Sequence, residues 1–176
     1  TPLSKSQSTC TITFNDSVLL TESVQVNAAS GGAVAFNSTI NSQAGEFNDV
    51  TISGGNVLFD GDIGGDQTIG TLTVTNGNSV TFGENISQVQ ADGMIDLGRD
   101  AQLANGVTFD GGVSGLVIST TGDEIRIDGP IMLNGANTTL STGPGSGDIR
   151  FTNNTPIDSE AGEGNNLTLS AGTGTV

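Results

Sequence analysis

Two short stretches of the chain gather side chains that could do chemistry. "FDGDIGGD" brings together Asp60, Asp62 and Asp66, and "GDEIRIDG" brings together Asp123, Glu124 and Asp128. Two carboxylates flanking a sugar are the machinery of glycoside hydrolysis, one as acid and the other as base or nucleophile. Calcium also favours such groups, because it takes several hard oxygen ligands. The surrounding residues favour neither use. The chain has no His, Trp or Tyr, which removes imidazole acid–base chemistry, His metal ligation and the aromatic platforms of sugar clefts. "GGDQTIGTL" departs from the nine-residue Gly-Gly-x-Gly-x-Asp calcium repeat, and no EF-hand loop occurs. The same stretch lacks the Lys-Ser/Thr of a phosphate-binding loop. No catalytic, cofactor-binding or metal-ligating residue is therefore assigned, and no enzyme is expected. Calcium among the acidic turns is the one ion that the composition leaves open.

Charge narrows the partners. Nineteen Asp and Glu face four cations, Lys5, Arg99, Arg126 and Arg150, for a formal charge of −15. Phosphate backbones need Lys and Arg, so nucleic acid is excluded as a partner and anionic membranes are repelled. No apolar run approaches the ~20 residues of a membrane helix, so no membrane insertion is expected. Cys10 stands alone, which rules out an internal disulfide and a Cys metal cluster. One Cys among many Ser, Thr, Asn and Gly residues suits a secreted bacterial protein. The opening "TPLSKSQST" is too polar for a signal peptide, so any export address is expected outside this stretch. Six N-x-Ser/Thr triplets, at Asn15, Asn37, Asn85, Asn137, Asn153 and Asn166, arise easily in this composition.

The elements that position these residues repeat. Aligned on an apolar anchor, the copies fall at Phe14, Phe36, Phe59, Phe82, Phe109, Ile127 and Phe151, at intervals of 22, 23, 23, 27, 18 and 24 residues. Two places earlier stand Ile12, Val34, Val57, Val80, Val107, Ile125 and Ile149. Four places later stand Val18, Ile40, Ile63, Ile86, Val113 and Ile131, and in the last copy Ile157 comes six places on. Apolar residues at i and i+2 describe a strand with one buried face. Asn, Asp and Gly follow the anchors as turn residues. A second strand follows most copies: Val24-x-Val26, Val50-x-Ile52, Leu72-x-Val74, Ile95-x-Leu97, Leu116-x-Ile118 and Leu167-x-Leu169, weaker around Leu140. No helix period appears. Short strands and turns recurring every ~20–25 residues predict a β-solenoid of about seven rungs with a Phe/Ile/Val core ladder. Residues 1–176 are read as a single such domain. An antiparallel sandwich is the runner-up, but it does not require the same residue types in the same order.

The runs "GSGDIRFTNNTPIDSEAGEGNNLTLSAGTGTV" (145–176) and "AASGGAVAFNSTINSQAGEFNDVTISGGNVLFDGDIGG" (28–65) resemble the repeat regions of large bacterial filamentous-haemagglutinin-type exoproteins. The resemblance implies a right-handed parallel β-helix exported to the cell surface, often by two-partner secretion. The expected role is that of a structural and adhesive module in a surface filament or adhesin. A carbohydrate-binding or carbohydrate-cleaving β-helix using the acidic turns is the alternative. Val176 matches Val80 or Val107 in this alignment, which predicts rung-on-rung contacts with further repeats or with identical subunits; a host carbohydrate or protein receptor is the other expected partner. Arg126 and Arg150, each one place before an anchor, predict outward ion pairs with Glu124 and Asp148. Ice binding would need an unbroken row of outward Thr, and Thr13, Thr81 and Thr108 are interrupted by Ala35, Leu58, Arg126 and Arg150.

Overall fold

A computed structural model describes residues 10–176 except 76, 113, 136, 154 and 155, and Ser30 by its backbone alone. Each apolar-x-apolar triplet forms a short strand, since alternate side chains leave opposite sides of the pleat. The Gly, Asn and Asp that follow bend the chain at a corner. Three strands and three corners make one turn of a coil, and successive turns pair in parallel to build three faces.

The first face has seven strands: Ile12–Phe14, Val34–Phe36, Asn56–Phe59, Ser79–Phe82, Gly106–Phe109, Ile131–Leu133 and Ile157–Ser159. The second holds Val18–Leu20 and Ile40–Ser42, passes through a bridge at Ile63, and continues in Gln88–Ala91, Leu116–Thr120, Thr138–Ser141 and Leu167–Ser170. The third comprises Val24–Asn27, Val50–Ser53, Leu72–Val74, Ile95–Leu97, Ile125–Asp128 and Ile149–Thr152. The protein is an all-β parallel solenoid of about six turns, which the seven strands of the first face bound.

Register places like on like. Phe36, Phe59, Phe82 and Phe109 pair in sequence along the first face, and from Phe14 onward their rings stack at centroid separations of 4.6 to 5.7 Å. Phe59, Phe82 and Phe109 are fully buried. Offset stacking adds ~0.5–1.5 kcal/mol per pair beyond the area removed from water.

Beyond Phe109 the chain departs from the sequence alignment. Phe109 pairs with Leu133, and Leu133 with Ser159. Ile127 and Phe151 lie on the third face, where Ile127 pairs with both Leu97 and Phe151. Ile131 takes the place of Val107 one turn on. Leu116-x-Ile118 and Leu167-x-Leu169 belong to the second face with Leu140. Ile86 is buried, but Val89 is the residue that bridges to Ile63; Val113 lies outside the described residues. The cause is local mimicry, because "IRIDG" repeats the apolar-x-apolar-turn pattern of a Phe strand. Interval length tells them apart. The 18 residues from Phe109 to Ile127 are too few for three strands and three corners, whereas the steps to Leu133 and Ser159 are 24 and 26. The Ile149 amide donates to the Thr175 carbonyl, so Val176 continues the third face rather than the column of Val80 and Val107.

Truncating a ladder Phe removes buried area and leaves a cavity. Phe59→Ala and Phe82→Ala are each expected to cost ~3–5 kcal/mol in urea unfolding. Leu58, on the outward side of the same strand, should cost far less on truncation. Equal losses at Leu58 and Phe59 would contradict the assignment of sides.

Candidate functional site

The acids singled out by the sequence do not converge. Asp60 follows the Phe59 anchor at a corner and accepts a 2.9 Å hydrogen bond from Asn85 Nδ2. Asp62 opens the second face one turn before Ser87 and Gln88. Its carboxylate accepts from the Ser87 amide at 2.7 Å, the Gln88 amide at 3.1 Å, and both side chains. Asp66 is exposed, and its amide donates to Asn41 Oδ1. Asp123 is exposed at another corner, where its carbonyl accepts from Thr120 Oγ1. Among the described residues no group of three or more His, Cys, Asp or Glu side chains is placed to hold a metal ion.

Glu124 and Asp128 instead flank Arg126 on the outward side of the third face, one turn after Asp96 and one before Arg150. Arg126 donates to Asp96 at 2.7 Å and reaches Asp128 at 3.4 Å. The Asp96 and Asp128 side chains are each only 6% exposed. Asn153 Nδ2 adds 2.8 and 3.0 Å bonds to Asp128. Arg126 is thus ion-paired, but with Asp96 and Asp128 rather than with the expected Glu124 and Asp148, and it is more deeply covered than a surface pair; Asp148 instead accepts from the Thr175 amide and hydroxyl. Breaking one partner of a buried pair is costly because the other charge stays desolvated. Arg150 Nε stands 3.5 Å from Glu124 Oε1 and is more than half exposed, so it contributes little. Since both arginines sit on the third face, the outward row of the first face runs Thr13, Ala35, Leu58, Thr81, Thr108, Met132 and Asp158.

Two corner loops escaped the sequence reading. Ser42–Asn48 and Ser159–Asn165 share the pattern Ser-x-Ala-Gly-Glu-x-Asn, and its two occurrences were the available signal. In the first, the Asn48 amide donates to Ser42 Oγ, and Asn48 Nδ2 donates to the Leu20 carbonyl and Glu46 Oε2, all at 3.0 Å. In the second, Asn165 repeats the circuit with Ser159 Oγ, the Leu133 carbonyl and Glu163 Oε2. Gly45 and Gly162 hold φ of +79° and +93°, a region that L side chains avoid. The same loop therefore turns a second-face strand toward the third face in one place and a first-face strand toward the second in another. The triplet asparagines also serve the stack. Asn37, Asn85, Asn153 and Asn166 each donate Nδ2 to an Asn or Asp one turn earlier.

A groove of about 380 Å³ opens beside the second loop, lined by Ser114, Leu116, Val117, Asn137, Thr139 and Asn165 with Gly115 and Gly135. Asp110 stands at the neighbouring corner. Partial burial, then the charges of Glu84, Asp60 and Glu163, push its carboxyl above the ordinary value. Asp62 goes the other way. Burial alone raises it, but the combined hydrogen bonds from Ser87 and Gln88 outweigh that and hold it below the ordinary value. No family model, curated protein or solved structure matches the chain.

Opposite effects follow from these two carboxylates. A depressed folded pKa means that ionised Asp62 stabilises the fold above the unfolded value of ~3.9, and that this is lost as pH falls through the folded pKa. A raised folded pKa means that ionised Asp110 destabilises the fold at neutral pH and that protonation relieves it. Asp62→Asn is expected to lower the melting temperature at neutral pH and Asp110→Asn to raise it. Both differences should shrink toward acid in melts recorded from about pH 7 to about pH 3. Effects of the same sign at neutral pH would contradict the local electrostatics.

Proposed function

We propose that the protein is a structural and adhesive module of a bacterial surface filament or adhesin, displayed outside the cell. The supporting observation is the use to which the polar side chains are put. Asp60, Asp62, Asp128 and the amides of Asn37, Asn48, Asn85 and Asn165 all bind the neighbouring turn or its corner. Groups so engaged fix a rod and its surface. A parallel ladder extends by adding strands, so its partners along the axis are further repeats or identical subunits. Its flanks are free to meet a carbohydrate or protein receptor. The acidic exterior keeps such a rod soluble and away from nucleic acid.

Display of residues 1–176 on a non-adherent bacterium tests this reading. Cells carrying the folded rod should attach to glycan- or matrix-coated surfaces more than cells carrying the core-disrupted Phe82→Asp variant. Equal attachment would defeat the adhesive part. Cleavage of acidic or neutral polysaccharides, with or without calcium, that disappears in Asp60→Asn or Asp128→Asn would replace the structural reading with an enzymatic one.

A further inference from the structure

We propose that the groove beside Ser159–Asn165 is the entry to a binding track for a neutral polysaccharide, which runs along the last turns of the second face. The inference deepens the adhesive reading above by naming a ligand class and a place, and it rests on that reading for its biological setting.

The second face changes character along its length. Along its first four strand positions, counting the bridge at Ile63, the outward polar groups engage one another: Thr39 donates to Ser17, Gln88 to Asp62 and Gln90 to Gln88. Along its last three strands, register aligns Val117, Thr139 and Thr168 in one row and Ser119, Ser141 and Ser170 in the other. The hydroxyls of Thr139, Thr168 and Ser170 make no hydrogen bond to another described residue. The groove joins this array, because Val117 and Thr139 also line it. Its size falls in the range of ligand sites, ~300–1,000 Å³.

The chemistry selects a polyhydroxylated, uncharged ligand. Hydroxyls and amides both donate and accept, as sugar hydroxyls do, whereas a carboxylate only accepts. Val117, 45% exposed on the groove wall, offers an apolar patch for the C–H side of a sugar ring. Rows that repeat about every 4.8 Å along the axis suit a ligand that also repeats. Negative charge nearby disfavours uronate or sulfated chains, since Asp110 and Glu163 both lie against Gly135 of the lining on a protein of charge −15. A cationic peptide meets no carboxylate in the lining, and Glu163 beside it is already held by the Gly135 amide and Asn165 Nδ2.

Heteronuclear NMR titration of the soluble protein with cello-, chito-, manno- and malto-oligosaccharides tests the proposal, with an oligogalacturonate as the charged comparator. At least one neutral series should shift the amides of Ser114, Asn137, Thr139 and Asn165 saturably, with affinity rising with chain length. The oligogalacturonate should bind at least about tenfold more weakly at low salt. Ser114→Ala combined with Thr139→Val should lose most of the affinity, while Thr81→Val on the first face should change nothing. No shift with any neutral series, shifts confined to another face, or a double variant that binds as the parent does would overturn the proposal. Tighter binding of the oligogalacturonate would overturn the neutral ligand class. Should the double variant fail to fold, the shift map of the parent protein decides. Soluble protein and soluble sugar require no display, so failure here leaves attachment by displayed cells standing, and the reverse holds too.

Discussion

Parallel hydrogen bonding of each turn to the next, in register, is the constraint on which the rest of this protein depends. A slip by one residue would turn every inward Phe, Val and Ile outward. Held in register, the strands put Phe on Phe and Val on Val, so a turn that could not bury its own anchor buries it against its neighbour. The rule that stacks apolar groups would also stack charges, and like charges directly opposite one another destabilise a sheet. The corner column after the anchors shows how this is managed. It runs Asn15, Asn37, Asp60, Gly83, Asp110, Asn134 and Glu160, so no two acids are adjacent. Where acids from different columns do approach, as around Asp110, the raised carboxyl marks the residual repulsion. Amide and hydroxyl ladders supply the remaining cohesion, as in other in-register parallel stacks.

Part of this was legible from the sequence because side-chain type and interval carry the same information. Five anchors at nearly constant steps, each with a β-branched partner two places earlier, require a stacked strand, and Leu58 between Val57 and Phe59 had to face outward. Face identity was not legible by the same means. Ile125, Ile127 and Asp128 look like a Phe strand because any strand with one buried side shows that alternation. Only the chain length needed to close a turn separates them, and it separates them clearly at Leu133. The same slip carried Arg126 and Arg150 to the wrong face and hid the buried Asp96–Arg126–Asp128 group. The acids were legible as turn residues, but their partners were not. Asp62 meets Ser87 and Gln88 through a pairing that skips a whole turn of chain. The duplicated Ser-x-Ala-Gly-Glu-x-Asn loop was visible as a repeat, yet it occupies two different corners, and an alignment on anchors alone passes over it.

The surface follows from the stack. Outward positions repeat as regularly as inward ones, so each face presents rows rather than isolated residues, and a row is an extended recognition element by construction. Variation between turns then differentiates the faces. Ion pairing covers part of the third, the first carries a mixed Thr and apolar row, and the second passes from self-paired amides to open hydroxyls. A rod that is rigid because its turns are locked together can hold such rows in fixed geometry. The proposed adhesive role would draw on such rows.

Register beyond Phe109 decides which residues share a face in the later turns, and paired cysteines report on it directly. In a Cys10→Ser background, Thr108→Cys with Met132→Cys places two outward residues directly opposite each other on neighbouring strands. Neighbouring strands lie about 4.8 Å apart, which is within the Cα separation that a disulfide spans. Thr108→Cys with Arg126→Cys places the two residues on different faces. Mild oxidation should close the first pair into an intramolecular disulfide and leave the second as free thiols. Closure of the Thr108–Arg126 pair, with the Thr108–Met132 pair left open, would contradict the stack as described.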